Sequence, residues 1–291
     1  MNSLTEASVI LFVYGSLRRG EKYHHYLDGA ERIAAQAWTT GRLLDTGLGY
    51  PGMLSADSGR VYGELYRVSR PLLARIDALE VYSPGENNNE YERIQVTVGT
   101  DANDYHAQTY LYIQPNRNEE EVPHGDWRLR DLRRRLPLLY FAFGSCMDDE
   151  RFRLQGVAEA FRERLGRGVL YGYDMRYTLP YPDGGRADLV EEAGAVAEGV
   201  VYRIDANGLD YLFWREGVEE GTYRPAIVGV EMDDGVQDAL TFLVINKGEE
   251  SAPPEHYARE ILRGAHGTVS DTYHRNLRER LKERFQMTIP F

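Results

Sequence analysis

Two stretches of this chain repeat one another. Gly63-Glu64-Leu65-Tyr66-Arg67-Val68 is echoed by Gly199-Val200-Val201-Tyr202-Arg203-Ile204. The interval from Gly63 to Glu80 equals that from Gly199 to Glu216, with no residue inserted or lost. Each Glu ends a helical stretch, and a Tyr follows, Tyr91 or Tyr223, before another strand. Upstream, the apolar run Val9 to Val13 ends in Tyr14-Gly15-Ser16-Leu17, and Leu138 to Phe143 ends in Gly144-Ser145-Cys146-Met147. A supersecondary unit recurring over 291 residues implies a duplicated domain whose halves have diverged. The competing explanation is a chance likeness of two strand–helix units.

Period and punctuation give the elements of the first half. Val9 to Val13, Gly41 to Leu44, Arg60 to Val68, Tyr91 to Val98 and His106 to Ile113 are rich in β-branched and aromatic residues and bounded by Gly, Asn, Asp or Pro. They read as strands. Leu72, Leu73, Ile76 and Leu79 recur at helical spacing behind Pro71, which suits a first helical turn. Domains are expected over residues 8–114 and 138–291. Residues 115–137 form a linker, acidic and Pro-bounded, that ends in an Arg-rich helix from Trp127 to Leu136. Those Arg residues either dock an acidic partner or pair with nearby Glu on a solvated helix.

Composition narrows the function classes. The net charge of −12 disfavours nucleic acid and anionic membranes as partners. The lone Cys146 excludes an intramolecular disulfide framework and a multi-Cys zinc site. Lys22, Lys247 and Lys282 leave few candidates for Schiff-base chemistry. The longest apolar stretch, Leu136 to Met147, is broken by Pro137 and too short to cross a bilayer, and Met1 to Ser8 shows no secretory signal. A cytoplasmic location is the expectation.

Several motifs fail on context. Gly47-Leu48-Gly49-Tyr50-Pro51-Gly52 matches a dinucleotide fingerprint in letters, but it leads into Met53 to Gly59, read as a loop and not a helix. No His pair has the spacing of a zinc hydrolase. His24 and His25 either line a pocket behind the first Gly turn or lie at the surface. Arg18 and Arg19 either supply positive charge there or are solvated. Cys146, on the turn after a buried strand, is placed as a nucleophile would be, yet Leu17 holds the matching position in the first half. Glu80 and Glu216 are the sharper pair. Each sits at the end of an apolar helical face, where burial would raise its pKa toward that of a general base. The plainer reading is a helix-terminal Glu facing water.

Tyr14-Gly15-Ser16-Leu17 with Glu80, and Tyr140 through Met147 with Arg215-Glu216-Gly217-Val218, resemble the gamma-glutamylcyclotransferase family. The first half is similar to the short bacterial branch through Gly41-Arg42-Leu43, Tyr50-Pro51-Gly52 and Tyr91-Glu92-Arg93. The second is similar to the longer branch, with its tail from Pro254-Glu255-His256-Tyr257 through Leu262-Arg263-Gly264-Ala265 to Tyr273 and Leu277. The tandem form resembles that of cyclotransferases of Bacillus-type bacteria. The resemblance implies a mixed α/β fold of two domains, each a small mixed β-barrel flanked by helices.

It also implies conversion of a small γ-glutamyl compound to 5-oxoproline and a free amine or amino acid, with no cofactor. Glu80 and Glu216 would be the catalytic acid/base. Tyr14, Gly15, Ser16, Leu17 and Tyr91 would bind substrate in the first half, and Phe143, Gly144, Ser145, Cys146 and Tyr223 in the second. Phe143 and Cys146 depart from the family's usual Tyr and Asn, so the resemblance places catalysis more firmly on Glu80. Two other readings stand beside the enzyme. One is a metabolite-binding sensor or scaffold that uses the same pockets without turnover. The other is a hydrolase using Cys146.

Overall fold

The computed structural model describes residues 8–115 and 119–290. Residues 1–7, 116–118 and 291 lie outside it, including most of the Met1 to Ser8 segment and part of the expected linker. The chain divides into two units between Arg130 and Asp131. No described helix is long and apolar enough to cross a membrane.

In the N-terminal unit, β1 (Ser8–Val13), β2 (Glu31–Thr40), β5 (Arg60–Ser69), β6 (Tyr91–Gly99) and β7 (Asp104–Tyr112) close into a barrel in the order β1-β5-β2-β6-β7. Antiparallel pairs make up the wall, and a parallel contact at Leu11 and Gln108 seals it. A side sheet is built from β3 (Arg42–Asp45), β4 (Pro51–Leu54) and β8 (Glu120–Glu121). Helix α1 (Arg70–Leu79) follows β5; Ser69 Oγ accepts the Leu72 N–H as its cap, and Pro71 lies in its first turn.

The C-terminal unit repeats this plan. Its β9 (Leu138–Ala142), β10 (Glu163–Tyr181), β11 (Gly184–Ile204), β12 (Tyr223–Met232) and β13 (Gly235–Val244) form the second closed barrel. Helix α3 (Ala206–Arg215) follows β11 and is capped by Asp205, whose side chain accepts the Gly208 N–H. Here β10 and β11 are continuous where β2–β3 and β4–β5 are broken. This unit adds α2 (Asp149–Leu154), α4 (Glu255–Ala265) and α5 (Asp271–Phe285).

Matched packing shows that the repeat is structural. A Cβ on Gly63 would lie 2.3 Å from Val13 O, and one on Gly199 would lie 2.2 Å from Ala142 O, so both barrels need glycine at that crossing. Thr109 Oγ1 donates to Phe12 O at 3.1 Å, and Thr241 Oγ1 to Phe141 O at 3.0 Å.

Three expectations change. Glu31–Thr40 is a barrel strand, and Pro51–Leu54 is a strand at the head of the stretch read as a loop. Residues 119–130 are not linker: β8 pairs with β3, and Val122 and Trp127 are buried in the N-terminal core. The Arg-rich stretch is not one helix but two short 3-10 turns, Trp127–Leu129 and Leu132–Arg135. Asp126 caps the first turn, and Pro137 holds Leu136 extended at ψ 142°. Its charges are met locally, Arg130 by Glu21 and Arg133 by Asp210, in keeping with the plainer of the two readings of that stretch.

Candidate active site

Both helices end on the residue that the repeat singled out. Glu80 terminates α1 and Glu216 terminates α3, and each is followed by a left-handed residue, Val81 at φ 51° and Gly217 at φ 59°. A helix C-terminus carries partial negative charge, an unfavourable place for a carboxylate. Opposite each Glu runs the turn that leaves the first strand of its barrel. Arg18 N–H donates to Gly15 O and Met147 N–H to Gly144 O, both at 3.0 Å, so the two turns close alike.

In the N-terminal unit, Tyr14, Gly15, Ser16, Leu17, Glu80 and Tyr91 surround one cavity. Tyr50 from the β3–β4 connection, Pro51 at the start of β4, and Tyr110 are also in its wall. Tyr91 Oη donates to Pro51 O at 2.8 Å, Tyr14 Oη to Tyr110 O at 2.6 Å, and Tyr50 Oη to Glu90 Oε1 at 2.8 Å. Gly15 is obligatory, because its Cβ would lie 2.6 Å from the Pro51 ring. The free volume is about 30 Å³, room for about one water. Among the described residues no Lys, Arg or His lines it, and burial together with nearby Glu90 pushes Glu80 up to about 7.

In the C-terminal unit, Phe143, Gly144, Ser145, Cys146, Glu216 and Tyr223 likewise share a cavity, of about 240 Å³. Tyr223 Oη donates to Ala187 O at 2.7 Å, the counterpart of the Tyr91–Pro51 bond. Burial raises Glu216, but here Arg215 Nε lies 3.5 Å from its Oε1 and opposes the shift. Arg215 also donates to Ser145 Oγ at 3.1 Å and to Cys146 Sγ at 3.2 Å, and the thiol donates to Glu216 at 3.7 Å. Burial pushes the Cys146 thiol up, so it serves the carboxylate as a neutral donor and lacks the thiolate character of a nucleophile.

Every residue that the family resemblance assigned to the site thus lines one of the two cavities. Arg18 supplies no charge to the first and is not solvated. It is buried, with Nη1 2.5 Å from Asp126 Oδ1 and Nε 3.7 Å from Glu64. His24 braces the turn through Leu17 O at 3.1 Å, and neither His24 nor His25 is in the cavity wall. Sequence reasoning missed Tyr50, Tyr110, Arg151, Arg186, Arg215 and Tyr257 as wall residues. The repeat held a signal for two of them, since Tyr50 precedes Pro51 as Arg186 precedes Ala187.

Comparison with known proteins agrees with this duplicated plan. The family model described as gamma-glutamyl cyclotransferase, AIG2-like, matches residues 11–129, and an AIG2-like family model matches residues 197–277. YkqA of Bacillus subtilis, whose name places it with the gamma-glutamylcyclotransferases, is 40% identical over 286 residues, 97% of this chain and 98% of that one. The crystal structure of YkqA superposes with a TM-score of 0.86 at 38% identity, covering 98% of this chain and 100% of the other. The gamma-L-glutamyl-butirosin B gamma-glutamyl cyclotransferase of Niallia circulans is 42% identical over 120 residues, 40% of this chain and 74% of the relative. With two barrels, two matched carboxylates and a relative that aligns along nearly its whole length, the chain belongs to the gamma-glutamylcyclotransferase family.

Proposed function

We propose that the protein converts a small γ-glutamyl compound to 5-oxoproline and a free amine or amino acid, with Glu80 and Glu216 as the acid/base groups of the two halves. The observation that carries this reading is the pair of partly buried carboxylates, each ending a helix and facing a Gly-Ser turn at equivalent places in two barrels. A pKa near 7 leaves Glu80 about equally able to take and to return a proton at neutral pH.

In the proposed reaction, the carboxylate takes a proton from the substrate's α-ammonium. The freed amine attacks its own γ-carbonyl carbon, a C–N bond closes the five-membered ring, and the original γ-amide bond breaks. The proton passes from the Glu to the departing nitrogen. Attack within one molecule needs mainly a fixed conformation and that proton transfer. N–H groups of the Gly15–Leu17 and Gly144–Cys146 turns are suited to hold the α-carboxylate or the developing oxyanion. By volume the C-terminal cavity is the one open to a ligand, and the N-terminal one must widen to admit a γ-glutamyl group.

The test is mass-spectrometric detection of 5-oxoproline from γ-glutamyl amino acids, γ-glutamyl amines and glutathione. Wild type is run beside Glu80→Gln, Glu216→Gln and the double variant. Product lost with either substitution supports the reading and names the working half. No product from a folded wild-type protein rejects it in favour of binding without turnover.

A further inference from the structure

The two cavities share a skeleton and differ in charge at one equivalent place. The matched bonds Tyr91 Oη to Pro51 O and Tyr223 Oη to Ala187 O put Tyr50 and Arg186 at corresponding positions, each one residue before the accepting carbonyl. In the N-terminal cavity that position is Tyr50, with its hydroxyl on the carboxylate of Glu90. Any negative group brought there meets Glu90 and Glu80, with no basic residue in the wall among the described residues. In the C-terminal cavity the position is a guanidinium, and Arg151, Arg215 and His256 line the same space.

These cations are not equally available. Arg215 is spent on Ser145, Cys146 and Glu216, and Arg151 is held by Glu260 at 2.9 Å. Arg186 is only 18% exposed and lies over the rings of Tyr181 and Tyr257, 4.8 and 5.0 Å from their centroids, which fix its plane. Its carboxylate partner, Asp183 at 2.7 Å, is 51% exposed and is not part of the cavity wall. Only the Asp183 side of that pair is well solvated; exchanging it for a ligand carboxylate keeps the guanidinium paired, while Arg186 Nη1 goes on donating to Gly184 O at 3.1 Å. The planar fork of a guanidinium suits a carboxylate in two-pronged contact.

Every γ-glutamyl compound carries the same α-ammonium and α-carboxylate. What varies is the group released. We infer that Arg186 is the specificity-determining residue of the C-terminal half, pairing with a carboxylate on the leaving group. That half therefore prefers γ-glutamyl amino acids and peptides, whereas the N-terminal half, with Tyr50 and Glu90 at the same place, disfavours them. The inference rests on the cyclotransferase reading for its substrates, but not for its charge preference.

The probes are γ-glutamylglycine and γ-glutamylmethylamide, which differ only by the carboxylate. In the full chain carrying Glu80→Gln, so that only the C-terminal half turns over, kcat/KM should favour γ-glutamylglycine by about ten- to a hundredfold. The preference should lie in KM, because a remote carboxylate is bound alike before and during reaction. Arg186→Gln should bring the ratio close to one and Arg186→Lys should keep part of it. A ratio near one before substitution, or an equal loss on both compounds in Arg186→Gln, overturns the inference. If neither compound yields 5-oxoproline, the cyclotransferase reading fails and calorimetric binding to the Glu80→Gln/Glu216→Gln chain decides. Tighter binding of γ-glutamylglycine that is lost in Arg186→Gln supports the inference; equal affinities, or no binding of either, reject it.

Discussion

The two halves hold the same turn by different means. In the N-terminal unit, Arg18, one residue past Leu17, is buried against Asp126 and Glu64, so the segment around Trp127 clamps the turn through charge. The C-terminal unit has Met147 at that place, and α4 lies across the turn. A Cβ on Gly264 would sit 2.4 Å from Met147 C and 2.5 Å from Asp148 N, and Arg263 Nε reaches Asp148 at 3.0 Å. One unit fixes its turn with a buried ion pair, the other with a close backbone approach. The geometry at the turn is therefore what both halves keep, and its support is replaceable.

The sharpest break of that comparison is catalytic. Glu216→Gln should lower 5-oxoproline formation by the C-terminal half by about 10²- to 10⁴-fold, with Glu80→Gln as the reciprocal measurement in the other half. Full activity in the double variant would remove both carboxylates from the chemistry. The two clamps come next. Asp126→Asn removes the nearer of the two carboxylates facing the buried Arg18 guanidinium and should cost up to about 3–5 kcal/mol by urea denaturation, in the N-terminal unit alone. Gly264→Ala forces a methyl group into the Met147 backbone and should cost at least about 1–3 kcal/mol, in the C-terminal unit alone. A loss of the same size in both units from either variant would contradict separate supports.

The carboxylates should also separate by pH. Glu80 moves from an ordinary 4.5 to about 7 on folding. Its own contribution to stability is greatest below pH 4.5, where both states are protonated. It falls as the unfolded chain ionises first and levels off above about pH 7, for a total of about 3 kcal/mol. Glu80→Gln should remove this fall, which chemical denaturation at pH 4 and pH 8 would measure. Leu79→Arg, copying the Arg215 neighbour, should move the N-terminal half's pH–rate profile down by about one pH unit or more. No movement would mean that Arg215 does not account for the difference between the halves. The smallest effect is at the helix ends. Val81 is β-branched in a left-handed conformation, and Val81→Gly should leave the stability of the N-terminal unit unchanged or raise it by up to about 1 kcal/mol, read as a higher Tm. Gly217→Val should lower that of the C-terminal unit, because the new Cβ would meet Thr222 Oγ1 at 2.9 Å.

The barrels' central strands, the two helices and the carboxylates that end them were legible, because apolar period and the repeat speak locally. Glu31–Thr40 was not. Its pairing with β5 shifts register between Arg32 and Ala34 and again between Ala34 and Ala37, which destroys the alternation that marks a strand. Residues 119–130 were hidden by an acidic run, although Val122 and Trp127 are core. Arg18 shows the limit most plainly. Its two carboxylate partners lie far along the chain, so no local pattern distinguishes a buried ion pair from a solvated turn. The Gly63 and Gly199 matches, by contrast, were readable as letters, and only the 2.2–2.3 Å approaches explain why glycine is required there.

Among the described residues no basic group lines the wall around Glu80, and this has a thermodynamic consequence. Any ligand that brings a cation into that cavity becomes the carboxylate's missing counter-ion, so its binding near pH 7 releases a proton to the solvent. Affinity there is coupled to pH, and the heat of binding will depend on the ionisation enthalpy of the buffer. Beside Glu216 the chain already supplies that charge through Arg215, so the same ligand should release fewer protons there. Titration in two buffers thus counts which half is occupied, without a label and without turnover.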